Sequence, residues 1–355
     1  MGSREFLCFL QDTKEKGGSN NASTQLRDLE EYWKVQQIPP IYWMEKKNHT
    51  VKFMLLGFSD FQQESVSLFL FFFTVYTLSL MANIVIIIVI QQDSRLSSPM
   101  YFFLANLSFI DICFSTVTVP RMLSDLLTKK RVISSLACFS QMYFSVAVGI
   151  TEIFIITVMA YDRQVAICNP LRYHQVMNRS ARIGLIAGSW VIAWCHSLLH
   201  TIPISRMPYC GDNHIHHFFC DIAAILKIAC GDKSENELVI FTEGTMVIVV
   251  PSLFVVVSYI RIISSIIKLR SVEGQRRAFS TCSSHLTVVF LFFGTVIFIY
   301  FRPTSRYALN YDRILSVIYT VITPLLNPII YCLQNKEVKG AIRALIQRKT
   351  FSPKN

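Results

Sequence analysis

Charge is scarce in this chain. Asp, Glu, Lys and Arg make up 16% of the 355 residues, and 52% are hydrophobic. A soluble globular domain carries about a quarter charged residues. Length alone would allow about two soluble domains, but the apolar excess argues for one membrane bundle. Other features are missing as well. No segment between apolar runs is long enough to hold a folded soluble enzyme. No internal repeat appears, which removes the inverted-repeat transporter architecture. The first 43 residues lack the apolar core of a signal peptide. Glycine is sparse at 13 residues, against 27 Phe.

What is present is a series of apolar runs. About 20 mostly apolar residues suffice to cross a bilayer as helix. Seven such runs cover roughly 66–91, 100–122, 138–162, 182–203, 238–265, 279–301 and 312–334. Backbone groups in lipid must be satisfied within the segment, so each run is expected to be helical. The expected fold is an all-α membrane protein, a seven-transmembrane helix bundle over 66–334. Lys and Arg outnumber Asp and Glu in the segments between spans 1–2, 3–4 and 5–6 and after span 7. The opposite loops are nearly balanced. The positive-inside rule makes the first set cytoplasmic and puts the N-terminus outside.

The two ends differ. Residues 335–355 form the cytoplasmic tail, where Val338, Ile342, Leu345 and Ile346 recur at helical spacing among Lys and Arg. That pattern reads as a short amphipathic helix on the inner leaflet. Residues 1–43 are polar and read as a disordered extension, followed by an extracellular segment over 44–65. Asn48-His49-Thr50 and Asn21-Ala22-Ser23 are glycosylation sequons on the expected outer side.

Four of the ten cysteines, Cys138, Cys210, Cys220 and Cys230, fall outside the membrane. An oxidising compartment suggests two disulfides, and four cysteines allow three connectivities. His214, His216, His217 and Cys220 form a cluster suited in principle to a soft metal. The reading adopted is that no metal is bound there.

Several motifs lie in order on these spans: PMYFFLANLSFID (99–111), MAYDRQVAIC (159–168), HHFFCD (216–221), Ser258-Tyr259, RRAFSTCSSHL (276–286) and PLLNPIIY (324–331). With them the chain resembles the vertebrate olfactory receptors, within the rhodopsin-like G-protein-coupled receptors, from about Asn48 to Gln347. The resemblance implies a receptor rather than an enzyme. It would bind a small, mostly hydrophobic odorant in the outer half of the bundle and activate a stimulatory heterotrimeric G protein, raising cyclic AMP. It implies residence in the plasma membrane and no nucleic-acid partner. It also implies a Cys138–Cys220 bridge, which leaves Cys210 with Cys230. Two alternatives stand beside it: a small-molecule receptor acting outside the nose, and a seven-helix transporter or channel.

Roles follow from the resemblance residue by residue. Asp162 restrains Arg163 at rest, and on activation Arg163 swings toward Tyr259 and Tyr331. Asn327 and Pro328 belong to the same switch, as do Arg277 and His285 at the inner end of span 6. Asp111 and Glu152 are acids inside spans, where charge is costly and usually functional. With Ser108 they suggest either a bound sodium ion or a proton-sharing network. The ligand chamber is expected between the outer halves of spans 3, 5, 6 and 7. Helical spacing nominates Met142, Ser145, Val146, Gly149 and Ile150 on span 3 and Glu243 and Val247 on span 5. Span 6 contributes Phe293, Val296, Ile297 and Tyr300, and span 7 Tyr319 and Thr320. Glu243 either selects a polar ligand group or faces the outer headgroups. The chain departs from the family at Gln164 (usually Tyr), Ser97 (His), Ala82 (Gly) and Phe293 (Tyr).

Overall fold

The computed structural model describes residues 52–58, 63–128, 131–210, 213–268, 271–300 and 309–350. The sequons at Asn21 and Asn48 and the 1–43 extension lie outside the described residues.

Seven long helices follow the apolar runs. They are α1 (Ser65–Gln92), α2 (Pro99–Leu127), α3 (Ser135–Cys168) and α4 (Arg179–Arg206). Next comes α5, built from Ser234–Gly244, a π-helical turn Thr245–Val249 and Val250–Ile267. Then come α6 (Val272–Tyr300) and α7, the latter built from Leu309–Val317, a π-helical turn Ile318–Ile322 and Thr323–Gln334. Six of them are long and apolar enough to cross a membrane, and α6 adds a shorter apolar stretch, His285–Ile297. The amphipathic tail forms α8 (Lys336–Thr350).

Helix starts follow local chemistry. Asn178 accepts a hydrogen bond from the Ala181 amide and caps α4, and Ser134 does the same for α3. Proline opens α2, where a missing N–H costs nothing. Pro120, Pro203 and Pro328 sit inside helices, and neighbouring helices let a bundle tolerate them.

Burial separates centre from rim. In α3 67% of the apolar window is buried, against 28% in α1 and α4, so α3 is the central column and the others present apolar faces outward. A continuous core runs down it from Val148 through Ile155, Ile156 and Met159 to Val165. Because lipid is as apolar as these side chains, the core is held by van der Waals packing rather than by transfer out of water.

One end carries a small sheet. Strand β1 (Lys52–Leu55) pairs antiparallel with β2 (Val132–Ser134) and parallel with β3 (His214–Ile215), in the order β2-β1-β3. Phe53 and Leu55 alternate inward and are buried, while Lys52 and Met54 point out, as a half-buried strand requires. Phe53 meets Phe139 and Tyr209 edge-on. Two disulfides, Cys138–Cys220 and Cys210–Cys230, fasten the same end. Cys138–Cys220 ties the first turn of α3 to the loop between α4 and α5, and Cys210–Cys230 closes that loop on itself.

Candidate functional site

Three layers of polar side chains thread this apolar bundle. At the end opposite the sheet, Asp162 is fully buried on the last turns of α3. The Tyr173 hydroxyl donates to its Oδ1 at 2.8 Å, and Arg163 Nε lies 3.7 Å from its Oδ2. Tyr173 lies just beyond α3, in the loop to α4, so the loop closes back on the helix end. Burial and the negative charge beside it raise the Tyr173 hydroxyl well above its ordinary pKa, so it remains a donor.

A second bond set ties α3, α5 and α6 together at this end. His285 Nε2 faces the Ile156 carbonyl at 3.2 Å, and the Tyr259 hydroxyl bonds His285 Nδ1. A carbonyl only accepts, so Nε2 carries the proton and Nδ1 receives the tyrosine. Arg163 lies close enough to act electrostatically on Tyr259, His285 and Tyr331. Tyr331 is buried with its hydroxyl unbonded among the described residues. The main chain of Arg277 lies on α6, but its side chain is outside the described residues.

The middle layer holds the two acids. Asn327 Nδ2 donates to both oxygens of Asp111, at 3.0 and 3.2 Å. Asp111 and Glu152 feel each other's charge and are buried. Neither Glu152 oxygen has a hydrogen-bond partner among the described residues. Ser108 is buried one turn from Asp111. Such a pair needs a neutralising partner, and a small cation or a shared proton fits it. Nearby, Asn83 Nδ2 donates to the Pro324 carbonyl at 2.8 Å, joining α1 to α7. Pro328 cannot supply an amide to the α7 ladder, so this part of α7 leans on side chains of α1 and α2.

The third layer is the expected chamber. Met142, Ser145, Gly149, Ile150, Val247, Phe293, Val296 and Thr320 are buried, and Val146 and Tyr319 are partly so. Tyr319 packs between Phe114, tilted at 4.9 Å, and Phe292, edge-on at 5.6 Å. Its hydroxyl lies 2.6 Å from where a Cβ on residue 149 would stand, so the contact exists only because Gly149 has no side chain. Ile297 is exposed, and the Tyr300 side chain lies outside the described residues. Glu243 turns toward α4, with its Oε2 3.5 Å from His196 Nε2. His196 in turn packs on His200, with ring centroids 4.7 Å apart.

Sequence reasoning missed three contacts. Tyr173 on Asp162 and His196 on Glu243 depend on how neighbouring helices rotate. The third is on the sheet side, where His217 Nε2 reaches Ser316 Oγ of α7 at 3.0 Å and His217 Nδ1 takes the Phe219 amide. His217 is thereby buried and neutral, its pKa lowered to about 3 by burial, with the charges of Arg313 and Lys227 adding to the effect. No group of three or more metal-ligating side chains gathers among the described residues.

The olfactory receptor family model aligns with residues 72–349. The chain belongs to the olfactory receptor family. Human olfactory receptor 1L6 is 46% identical over 308 residues, covering 86% of this chain and 89% of that protein. Human olfactory receptor 13C2 is 43% identical over 317 residues, covering 87% of this chain and all of the relative. Rat olfactory receptor 1f45 is 44% identical over 300 residues, covering 84% and 96%.

Proposed function

We propose that this chain is an odorant receptor of the plasma membrane. Its N-terminus is outside, and it couples to a stimulatory G protein that raises cyclic AMP. The observation that carries the reading is the bonded inner end, where Asp162–Tyr173 and Tyr259–His285–Ile156 hold α3, α5 and α6 together beside Arg163. Bonds of this kind can be exchanged, and a packed bundle with exchangeable ties is a two-state element. An odorant held in the outer half shifts the populations by its differential affinity. Arg163 then leaves Asp162 for Tyr259 and Tyr331, and α6 swings out to admit the G protein.

The chamber is apolar around the Tyr319 hydroxyl and the Ser145 and Thr320 side chains. A small hydrophobic odorant with one polar group suits it. Asp111, Glu152 and Ser108 would hold a sodium ion, whose charge offsets one of the two carboxylates of the resting state. Asn327 positions Asp111 whether the neutralising partner is the ion or a proton.

The test is a cyclic AMP reporter in cells expressing the full chain, challenged with an odorant panel. At least one odorant should raise cyclic AMP in a dose-dependent way. A surface-expressed chain that instead passes ligand-gated current in cells lacking the G protein would refute the reading.

A further inference from the structure

One polar cluster belongs neither to the Asp162 end nor to the Asp111–Glu152 layer. It lies between α4 and α5, in the half of the bundle that carries the sheet. His196 and His200 stand one turn apart on α4, which puts both rings on one face. Both are buried, and their ring centroids are 4.7 Å apart. Glu243 comes from α5, just before the π-helical turn Thr245–Val249. Its side chain is 43% exposed, so it is open to an approaching molecule.

The cluster is unfinished. Glu243 Oε2 is 3.5 Å from His196 Nε2. A charge-assisted hydrogen bond runs shorter, at about 2.7–2.9 Å. Both ring nitrogens of His196 are buried with no hydrogen-bond partner among the described residues. Apart from each other, the two rings feel one charge among the described residues, that of Glu243. No lysine or arginine pairs with Glu243 among them. A carboxylate beside apolar surroundings and imidazole nitrogens without partners are both costly. A ligand that brings positive charge and N–H donors relieves both.

The acceptors can be counted. An ordinary imidazole titrates near 6.5, so near pH 7.4 it is mostly neutral and offers one lone pair. Two imidazoles and one carboxylate then present three acceptors and one negative charge. A primary ammonium carries three N–H donors and one positive charge. We propose that this cluster binds the ammonium of a small primary amine. The ligand's apolar body runs along α5 toward Val247, one turn on, which is buried at the expected chamber. A carboxylic acid would meet Glu243 as a like charge. A metal fits less well, since no three ligating side chains gather among the described residues. Metal bonds of about 2.0–2.1 Å also reach less far than hydrogen bonds of about 2.9 Å. Naming a ligand class in this way rests on the receptor reading under Proposed function, but the binding measurement below uses no G protein.

The test is a saturation-transfer NMR titration of the full chain, purified in detergent near pH 7.4, with n-butylamine, n-butanol and butyltrimethylammonium. The amine should bind at least about tenfold more tightly than the alcohol. Butyltrimethylammonium, which has the charge but no N–H, should fall between them. Glu243→Gln should bring amine and alcohol to within about twofold. His196→Phe keeps a ring and removes both nitrogens, so it should weaken the amine about fivefold and leave the alcohol unchanged. Thermal unfolding of each variant reports on folding, and His196→Phe keeps the test decisive should Glu243→Gln fail to fold. Equal binding of amine and alcohol by the unaltered chain overturns the proposal. So does an amine preference that survives Glu243→Gln. Amine binding that depends on Glu243 but raises no cyclic AMP in cells upholds this site and counts against the coupling given under Proposed function.

Discussion

The two ends of the bundle are held by different kinds of bond. The sheet end has two disulfides and a three-stranded ladder joining three segments far apart in sequence. Among the described residues, the opposite end has no disulfide or strand ladder and is tied by side-chain hydrogen bonds and the Asp162–Arg163 ion pair. Besides those at Asp162 and His285, the Tyr101 hydroxyl donates to Glu337 at 2.6 Å, and Asn335 both bonds Tyr101 and caps α8. Covalent links and ladders have one arrangement. Side-chain pairs can be exchanged at about 1 kcal/mol each. The difference separates the ends: a cross-linked frame on one side, and on the other exchangeable ties, which the proposed function makes a latch.

The largest effects should come from breaking the frame. The Cys138–Cys220 bridge spans 82 residues and Cys210–Cys230 spans 20. In the chain-entropy model the longer loop gains about 1 kcal/mol more from its cross-link, and only that bridge joins a helix to the cap. Cys138→Ser and Cys220→Ser should therefore each abolish surface delivery to the same extent, measured by surface labelling. Cys210→Ser should leave a measurable fraction. Normal delivery of Cys220→Ser would show that the frame does not depend on this bridge.

Breaking the latch should spare delivery and alter signalling. Arg163→Ala should remove odorant-driven cyclic AMP while the chain still reaches the surface. His285→Phe keeps an aromatic ring in the core but removes both bonds across α3, α5 and α6. Losing about 1–2 kcal/mol from the closed state raises the open fraction roughly five- to thirtyfold. Basal cyclic AMP should rise accordingly. A fall at normal surface density would mean that His285 serves the open state instead.

Much of this comparison is legible in the sequence, and the rest is hidden for definable reasons. The spans are readable because lipid demands a long apolar helix, so the run at 66–91 became Ser65–Gln92. The buried charges of the inner end and the middle layer are readable because Asp111, Glu152, Asp162 and Arg163 are charged residues within apolar runs. The sheet is not readable. Strands of two to four residues are too short to show a periodicity. The π-helical turns at Thr245–Val249 and Ile318–Ile322 leave no mark in composition, yet they reset which faces of α5 and α7 turn inward. That is one physical reason why Glu243, placed by regular helical spacing, faces His196.

The smallest effect tests how rigid the frame is. His217 joins the cap to Ser316 of α7 while buried and neutral, with its pKa lowered to about 3. An unfolded histidine titrates near 6.5. Between these values the unfolded state binds more protons, so stability rises with pH across that window. The contribution is complete above about pH 6.5 and fades as pH falls toward 3. Acidifying from pH 7.5 to 5.5 should thus loosen the cap, with faster amide exchange around Phe218 and Phe219. His217→Gln keeps a donor for Ser316 and cannot titrate, so its exchange should change less over the same step. An equal acid response in both forms would move the sensitivity to another group. It would leave His217 as a plain hydrogen bond within a frame that its disulfides already hold.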